Sequence, residues 1–145
     1  MGKKINFQIV TPERVVYESE IDQVTLPTRA GEITVLANHM PLVSLLAPGE
    51  MRLKKDGVDY NFAVSSGFIE VRPKSRVVIL ADTAERAEEI DLARAEAARK
   101  RTEKILADKE KLDDVQFARL QAILDREAAR IKVKNRYRNR HQIGH

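Results

Sequence analysis

The chain reads as a β-plus-α protein: an N-terminal antiparallel β-sandwich of two sheets, followed by a C-terminal antiparallel two-helix hairpin. Three observations predict this. Apolar residues in the first part recur with period two, as in Ile5, Phe7 and Ile9 against Asn6 and Gln8. Turn-forming residues punctuate the same stretch at Pro27, Gly31, Pro48-Gly49, Asp56-Gly57, Gly67 and Pro73-Lys74. From Ala84 onward proline and glycine vanish until Gly144, and Ala, Glu, Arg, Lys and Leu dominate, which is the composition of long helices.

The clearest strand pair is Met51 to Val64. Met51 and Leu53 alternate against Arg52 and Lys54, and Asp56-Gly57 supplies the positive φ angles of a type I′ turn before Val58, Tyr60, Phe62 and Val64. Further strands are expected at Val15–Tyr17, Ile21–Leu26, Glu32–Leu36, Leu42–Leu46, Phe68–Arg72 and Arg76–Ala81. Eight or so short strands in about 85 residues suit a sandwich or barrel.

The first helix begins between Asp82 and Asp91, since both can cap and Asp82-x-x-Glu85 has the form of a capping box, and it ends near Lys111. Lys111 to Val115 is the turn. Phe117, Leu120, Ile123, Leu124 and Ile131 then recur at helical spacing. Along the first helix the stripe is Ile90, Ala93, Ala97, Ala98, Ile105 and Leu106, which buries little area and predicts a lightly held hairpin. The domains are therefore residues 1–84 as the sandwich, 85–90 as linker, 91–135 as hairpin and 136–145 as a basic tail.

The 145 residues carry a net charge of +4, and all of the excess is C-terminal: residues 1–86 hold 11 basic and 11 acidic side chains, the rest 15 and 11. No cysteine is present, which excludes disulfides and thiolate metal sites. Met1 to Phe7 lacks the apolar run of a signal peptide, and no stretch nears the roughly 20 apolar residues that span a bilayer. A soluble protein without direct membrane insertion is expected.

No constellation for catalysis stands out. His39 has no second histidine before His141, so a hydrogen-bonded turn residue is a better reading than a metal ligand. Ser65, Ser66 and Asp82 with His39 lack the nucleophile elbow of a hydrolase. No glycine-rich phosphate loop occurs. The run Lys132 to Arg140 has five basic residues and no acid, which suits nucleic acid, an anionic membrane or a frayed terminus. A basic nucleic-acid-binding adaptor on a β-sandwich scaffold is the alternative function.

Arg94 and Arg101 are seven apart and share a helix face; Arg126 and Arg130 are four apart and do likewise. Folding the hairpin can bring the four guanidiniums together, where they repel unless an anion such as a triphosphate lies between them. From spacing alone, ion pairs with Glu96, Glu103, Asp125 and Glu127 on solvated faces are the favoured reading.

Several segments carry a family resemblance. Phe7-Gln8-Ile9-Val10-Thr11-Pro12-Glu13-Arg14 with Tyr17, the stretch Leu26 to Leu36 with its Gly31-Glu32 turn, and Asn38-His39-Met40-Pro41-Leu42 come first. Ser66-Gly67-Phe68-Ile69-Glu70-Val71, Leu80 to Glu85 and Ile90-Asp91-Leu92-Ala93-Arg94-Ala95 follow. In order and spacing this resembles the epsilon subunits of bacterial F-type proton-translocating ATP synthases from Ile5 to Ile131. Ser66, where a second glycine is more usual, and the very basic tail depart from the pattern.

The resemblance implies a non-catalytic rotor subunit on the cytoplasmic face of a bacterial plasma membrane. Its partners would be the gamma subunit, the c-ring and, with the hairpin extended, the catalytic ring of alpha and beta subunits. Gly31, Glu32, His39, Met40, Pro41 and Leu42 would belong to the rotor interface. The helices would restrain ATP hydrolysis. No cofactor is obligatory, but ATP becomes a regulatory ligand, with Glu85 and Asp91 toward base and ribose and Arg94, Arg101, Arg126 and Arg130 toward the phosphates.

Overall fold

The computed structural model describes residues 3–143. Ten strands come first: β1 (Ile5–Val10), β2 (Val15–Ile21), β3 (Gln23–Thr28), β4 (Gly31–Leu36), β5 (Leu42–Leu46), β6 (Gly49–Lys55), β7 (Val58–Val64), β8 (Gly67–Arg72), β9 (Arg76–Ala81) and β10 (Ala84–Arg86). A 3-10 turn (Ala87–Glu89), α1 (Leu92–Leu106), a second 3-10 turn (Lys109–Lys111) and α2 (Asp114–Ile143) complete the chain.

Hydrogen bonds run without a break in the order β10-β7-β6-β3-β5-β8-β9-β1-β2, with β4 on the other edge of β3. The crease is between β3 and β5, which share the single pair Thr28 and Leu46. Folding there lays β10, β7, β6, β3 and β4 over β5, β8, β9, β1 and β2, which makes the sandwich. Ile5, Phe7 and Ile9 point inward from one layer with Ile69, Val71, Val77 and Ile79, against Val24, Leu26, Met51, Leu53, Phe62 and Val64 from the other. The period-two pattern thus marks the inner face. One pairing departs from the antiparallel rule: β1 runs parallel to β9.

At the turn after β6, Asp56 has φ 51° and Gly57 φ 79°, and Lys55 pairs with Val58 across a two-residue loop. Segment 85–90 is structured and is no free linker. Ala84 to Arg86 add a tenth strand to β7, and the 3-10 turn follows at once.

The capping choice falls on Asp91, whose Oδ1 accepts from the Arg94 N–H at 3.1 Å. Asp82 donates its backbone N–H to the Ser66 carbonyl instead, so the Asp82-x-x-Glu85 pattern is spent on strand structure. α1 stops at Leu106, short of Lys111, and α2 opens on a reciprocal cap in which the Asp113 side chain takes the Gln116 N–H and Gln116 takes the Asp113 N–H. With no proline or glycine to stop it, α2 does not end at 135 as expected but continues through residues 136–143; Gly144 and His145 lie outside the described residues.

The buried stripe of α1 is Ala95, Thr102 and Leu106, while Ala93, Ala97 and Ile105 face outward. Thr102 is admitted because its hydroxyl donates to the Ala98 carbonyl at 2.8 Å. At 30 residues α2 is about 45 Å long, twice α1. It packs on α1, and through Val133, Lys134, Arg136, Tyr137 and Arg140 on β6, β7 and the first 3-10 turn. The apolar contact there is small: Val133 and Tyr137 meet Ala63, Ala87 and Ile90. Burying Val133 contributes about 2 kcal/mol, and the alanines add little.

Candidate functional site

Three regions carry chemistry or exposed apolar surface. The first joins α2 to β10. Arg130 reaches Glu85 through Nε at 2.8 Å and Nη2 at 3.3 Å, and reaches Glu127 through Nη1 at 2.8 Å. Arg126 Nε donates to the other Glu127 oxygen at 3.2 Å. Glu127 is buried, with 2 % of its surface exposed. Burial pulls the Arg130 guanidinium down, but the carboxylates of Glu85 and Glu127 outweigh it and leave the group raised above the ordinary arginine value.

The structure therefore brings together Arg126 and Arg130, and the anion between them is the protein's own Glu127. This is the condition that like charges impose, met internally. Arg94 and Arg101 do not join the cluster. Both are exposed on α1, and neither has an ion pair among the described residues. Asp91 is committed to its capping bond, and Glu85 to Arg130. Glu103 sits 3.6 Å from Arg99, and Asp125 accepts from Gln121. Arg126 also borders a cleft of about 730 Å³ between the first half of α2 and the sandwich, shared with Arg29, Ser65, Asp82, Phe117 and Arg119.

The second region is the loop set around β4. Gly31 takes φ 120°, a backbone geometry that favours glycine, while the Thr28 hydroxyl donates to its carbonyl at 2.6 Å. Glu32 pairs with Arg52 at 3.0 Å. At the far end of β4, His39 Nδ1–H donates to the Met40 carbonyl at 2.7 Å, which makes it a turn residue. Met40, Pro41 and Leu42 are exposed. Gly31 and Glu32 thus lie at one end of the strand and His39 to Leu42 at the other, about 20 Å apart. They do not form one patch.

The third region went unrecognised in the sequence. Leu45, Phe68, Leu80 and Val10 are consecutive cross-strand partners on β5, β8, β9 and β1. The first three are 44 %, 51 % and 40 % exposed and line a shallow depression of about 560 Å³ with Pro12 and Gly67. Val43 beside them is 70 % exposed. A contiguous exposed apolar row on a sheet face marks an interaction surface more strongly than scattered apolar residues do. The signal was present: Leu42-Val43-Ser44-Leu45-Leu46 and Val77-Val78-Ile79-Leu80-Ala81 do not alternate, as strands with two apolar faces do not.

Family models match the chain over two stretches. The β-sandwich domain of the ATP synthase delta/epsilon chain matches residues 4–87, and its long α-helix domain matches 88–135. The ATP synthase epsilon chain of Herpetosiphon aurantiacus is 46% identical over 136 residues, which is 94% of this chain and 98% of that one. That of Dehalococcoides mccartyi is 45% identical over 140 residues, 97% and 99% of the two chains. In fold, a chain of the Euglena gracilis mitochondrial ATP synthase superposes at TM-score 0.72 and 23% identity, over 87% of this chain and 78% of that one. A chain from the central stalk and c-ring of the Tetrahymena thermophila mitochondrial ATP synthase does so at 0.61 and 14%, over 92% and 98%.

Proposed function

The chain belongs to the ATP synthase delta/epsilon chain family, and from that premise we propose that it is a non-catalytic central-stalk subunit whose sandwich docks on the gamma subunit and the c-ring. Its C-terminal helices restrain ATP hydrolysis by leaving the sandwich for the ring of alpha and beta subunits. In a bacterium the complex would lie on the cytoplasmic face of the plasma membrane. The subunit would be held there through its partners; among the described residues no helix is long and apolar enough to cross a membrane.

The observation that carries the reading is the row Leu45, Phe68 and Leu80, an apolar sheet face that the chain leaves exposed and that suits burial against a partner. Copurification with the gamma subunit tests it. The natural chain is expected to bind, and Phe68→Glu to weaken binding by roughly 30-fold or more, as loss of a central aromatic anchor does. Undiminished binding of that variant would remove the apolar face from the proposal. The nucleic-acid alternative has less to stand on, because Arg136 and Arg140 bond Glu50 and Lys134 bonds the Ala87 and Glu88 carbonyls.

A second reading makes ATP a regulatory ligand of the folded hairpin. Arg94 and Arg101 are exposed and available, and Arg126 and Arg130 hold carboxylates that phosphate oxygens can replace. ATP would then favour the compact state to the extent that it binds that state better. Calorimetry on the isolated chain is the test, and no heat at millimolar ATP would sink it.

A further inference from the structure

Glu50 on β6 is only 5 % exposed, yet it faces three arginines. Arg52 from its own strand lies at 3.2 Å, Arg136 of α2 at 3.2 Å, and Arg140 of α2 at 3.4 Å from each carboxylate oxygen. Arg136 and Arg140 are four apart, so both project from the helix face that meets β6. The groove between helix and sandwich, about 820 Å³, sets Glu32, Glu50 and Asp59 on its floor against Lys132, Arg136 and Arg140 on its wall.

We propose that Glu50 is a latch that reversibly holds the C-terminal turns of α2 on the sandwich through Arg136 and Arg140. The device requires neither ATP nor the gamma subunit. Three features give it this character. The apolar contact beneath is slight, so charge carries a large share of the hold. Arg136 and Arg140 are about half exposed, at 49 % and 45 %, so dissolved ions can screen their side of the contact. When the C-terminal turns of α2 leave, Glu50 keeps Arg52, which is bridged in turn to Glu32, so the buried Glu50 carboxylate is not left without a partner. That lowers the cost of opening. Arg130, whose side chain is 22 % exposed, is the less salt-sensitive anchor of the same helix.

Hydrogen exchange on the full chain tests the latch. Raising sodium chloride from about 50 to about 500 mM is expected to speed exchange of amides 132–141 by roughly tenfold while the β8 and β9 amides stay protected. Arg136→Gln with Arg140→Gln should produce the same acceleration at low salt, and adding Glu50→Gln to that pair should accelerate no further. The arginine pair lies on the helix surface and cannot unfold the sandwich. Unchanged exchange of 132–141 in the arginine variant overturns the latch, as does insensitivity of the natural chain to salt.

Discussion

Arg130 of α2 grips Glu85 of β10 through two guanidinium nitrogens, at 2.8 and 3.3 Å, and so ties the second helix to the last strand across 45 residues of sequence. Its third nitrogen holds the buried Glu127. Arg130→Ala would leave Glu127 with Arg126 alone and Glu85 with no ion-pair partner among the described residues. We expect a loss of about 3 kcal/mol in denaturant unfolding monitored through the helices, and a smaller loss for Arg130→Lys, which keeps the charge but not the fork. Equal stability of the alanine variant and the natural chain would contradict the anchoring role.

Arg94 makes no ion pair among the described residues, so its side chain is dispensable for folding. Arg94→Ala is expected to leave the melting curve within about 0.5 kcal/mol of the natural chain and to weaken ATP binding roughly tenfold. Arg126→Ala should move both quantities, because Arg126 supports Glu127 as well. Titration calorimetry beside thermal melts separates the two. Equal ATP affinities in Arg94→Ala and the natural chain would take Arg94 out of the site.

Lys4 bridges Asp22 at 2.6 Å and Asp56 at 2.7 Å, and the Asp56 N–H bonds the second Asp22 oxygen at 2.7 Å. The Lys4 hydrogen bond and then the backbone bond hold the Asp22 carboxyl below its ordinary value. A depressed carboxylate stabilises the fold fully above its unfolded pKa of about 4 and loses that contribution as pH falls through the lower folded value. Lys4 is raised by its bonds to Asp22 and Asp56, and its contribution fades only as pH rises through the folded value at the alkaline end. Thermal melts of Asp22→Asn should therefore depend less on pH as it falls below about 4 than those of the natural chain. Superimposable acid limbs would refute the assignment.

Gly67 opens β8 where it crosses β9. A Cβ there would overlap the Leu80 carbonyl and lie 2.9 Å from the Ala81 Cα, both backbone and unable to swing aside. Gly67→Ala should cost about 3 kcal/mol and weaken gamma binding too, since Leu80 and Phe68 flank the displaced pair. Urea unfolding reads the first effect. Gly57→Ala, strained only by its φ of 79°, is expected to cost nearer 1 kcal/mol.

Much of the fold was legible in the chain itself because it rests on local rules. Alternation picks the inward face of β1 and β6, Asp56-Gly57 dictates its turn, and the absence of Gly and Pro after residue 84 lets helices run. The β10 strand was not legible, since Ala84-Glu85-Arg86 has no β pattern and is a strand only because β7 offers an edge. Nor was the α1 stripe, where a threonine bonded to its own helix replaces an expected alanine face.

By itself the sequence determined the two-part architecture, the hairpin turn and the family, since those depend on periodicity and on ordered motifs along the chain. Which charges pair across elements was decided by tertiary structure alone, whereas Glu127 with Arg126 and Arg130 is local to α2. Arg130 with Glu85 and Glu50 with Arg136 and Arg140 are pairs 45, 86 and 90 positions apart, and no spacing rule picks such distant partners from among the 22 acids of the chain. Only packing α2 against β6, β7 and β10 selects among them. The exposed face of Leu45, Phe68 and Leu80 has the same origin, because β5 and β9, apolar on both sides, acquire an uncovered side only once the sandwich has chosen its inner one.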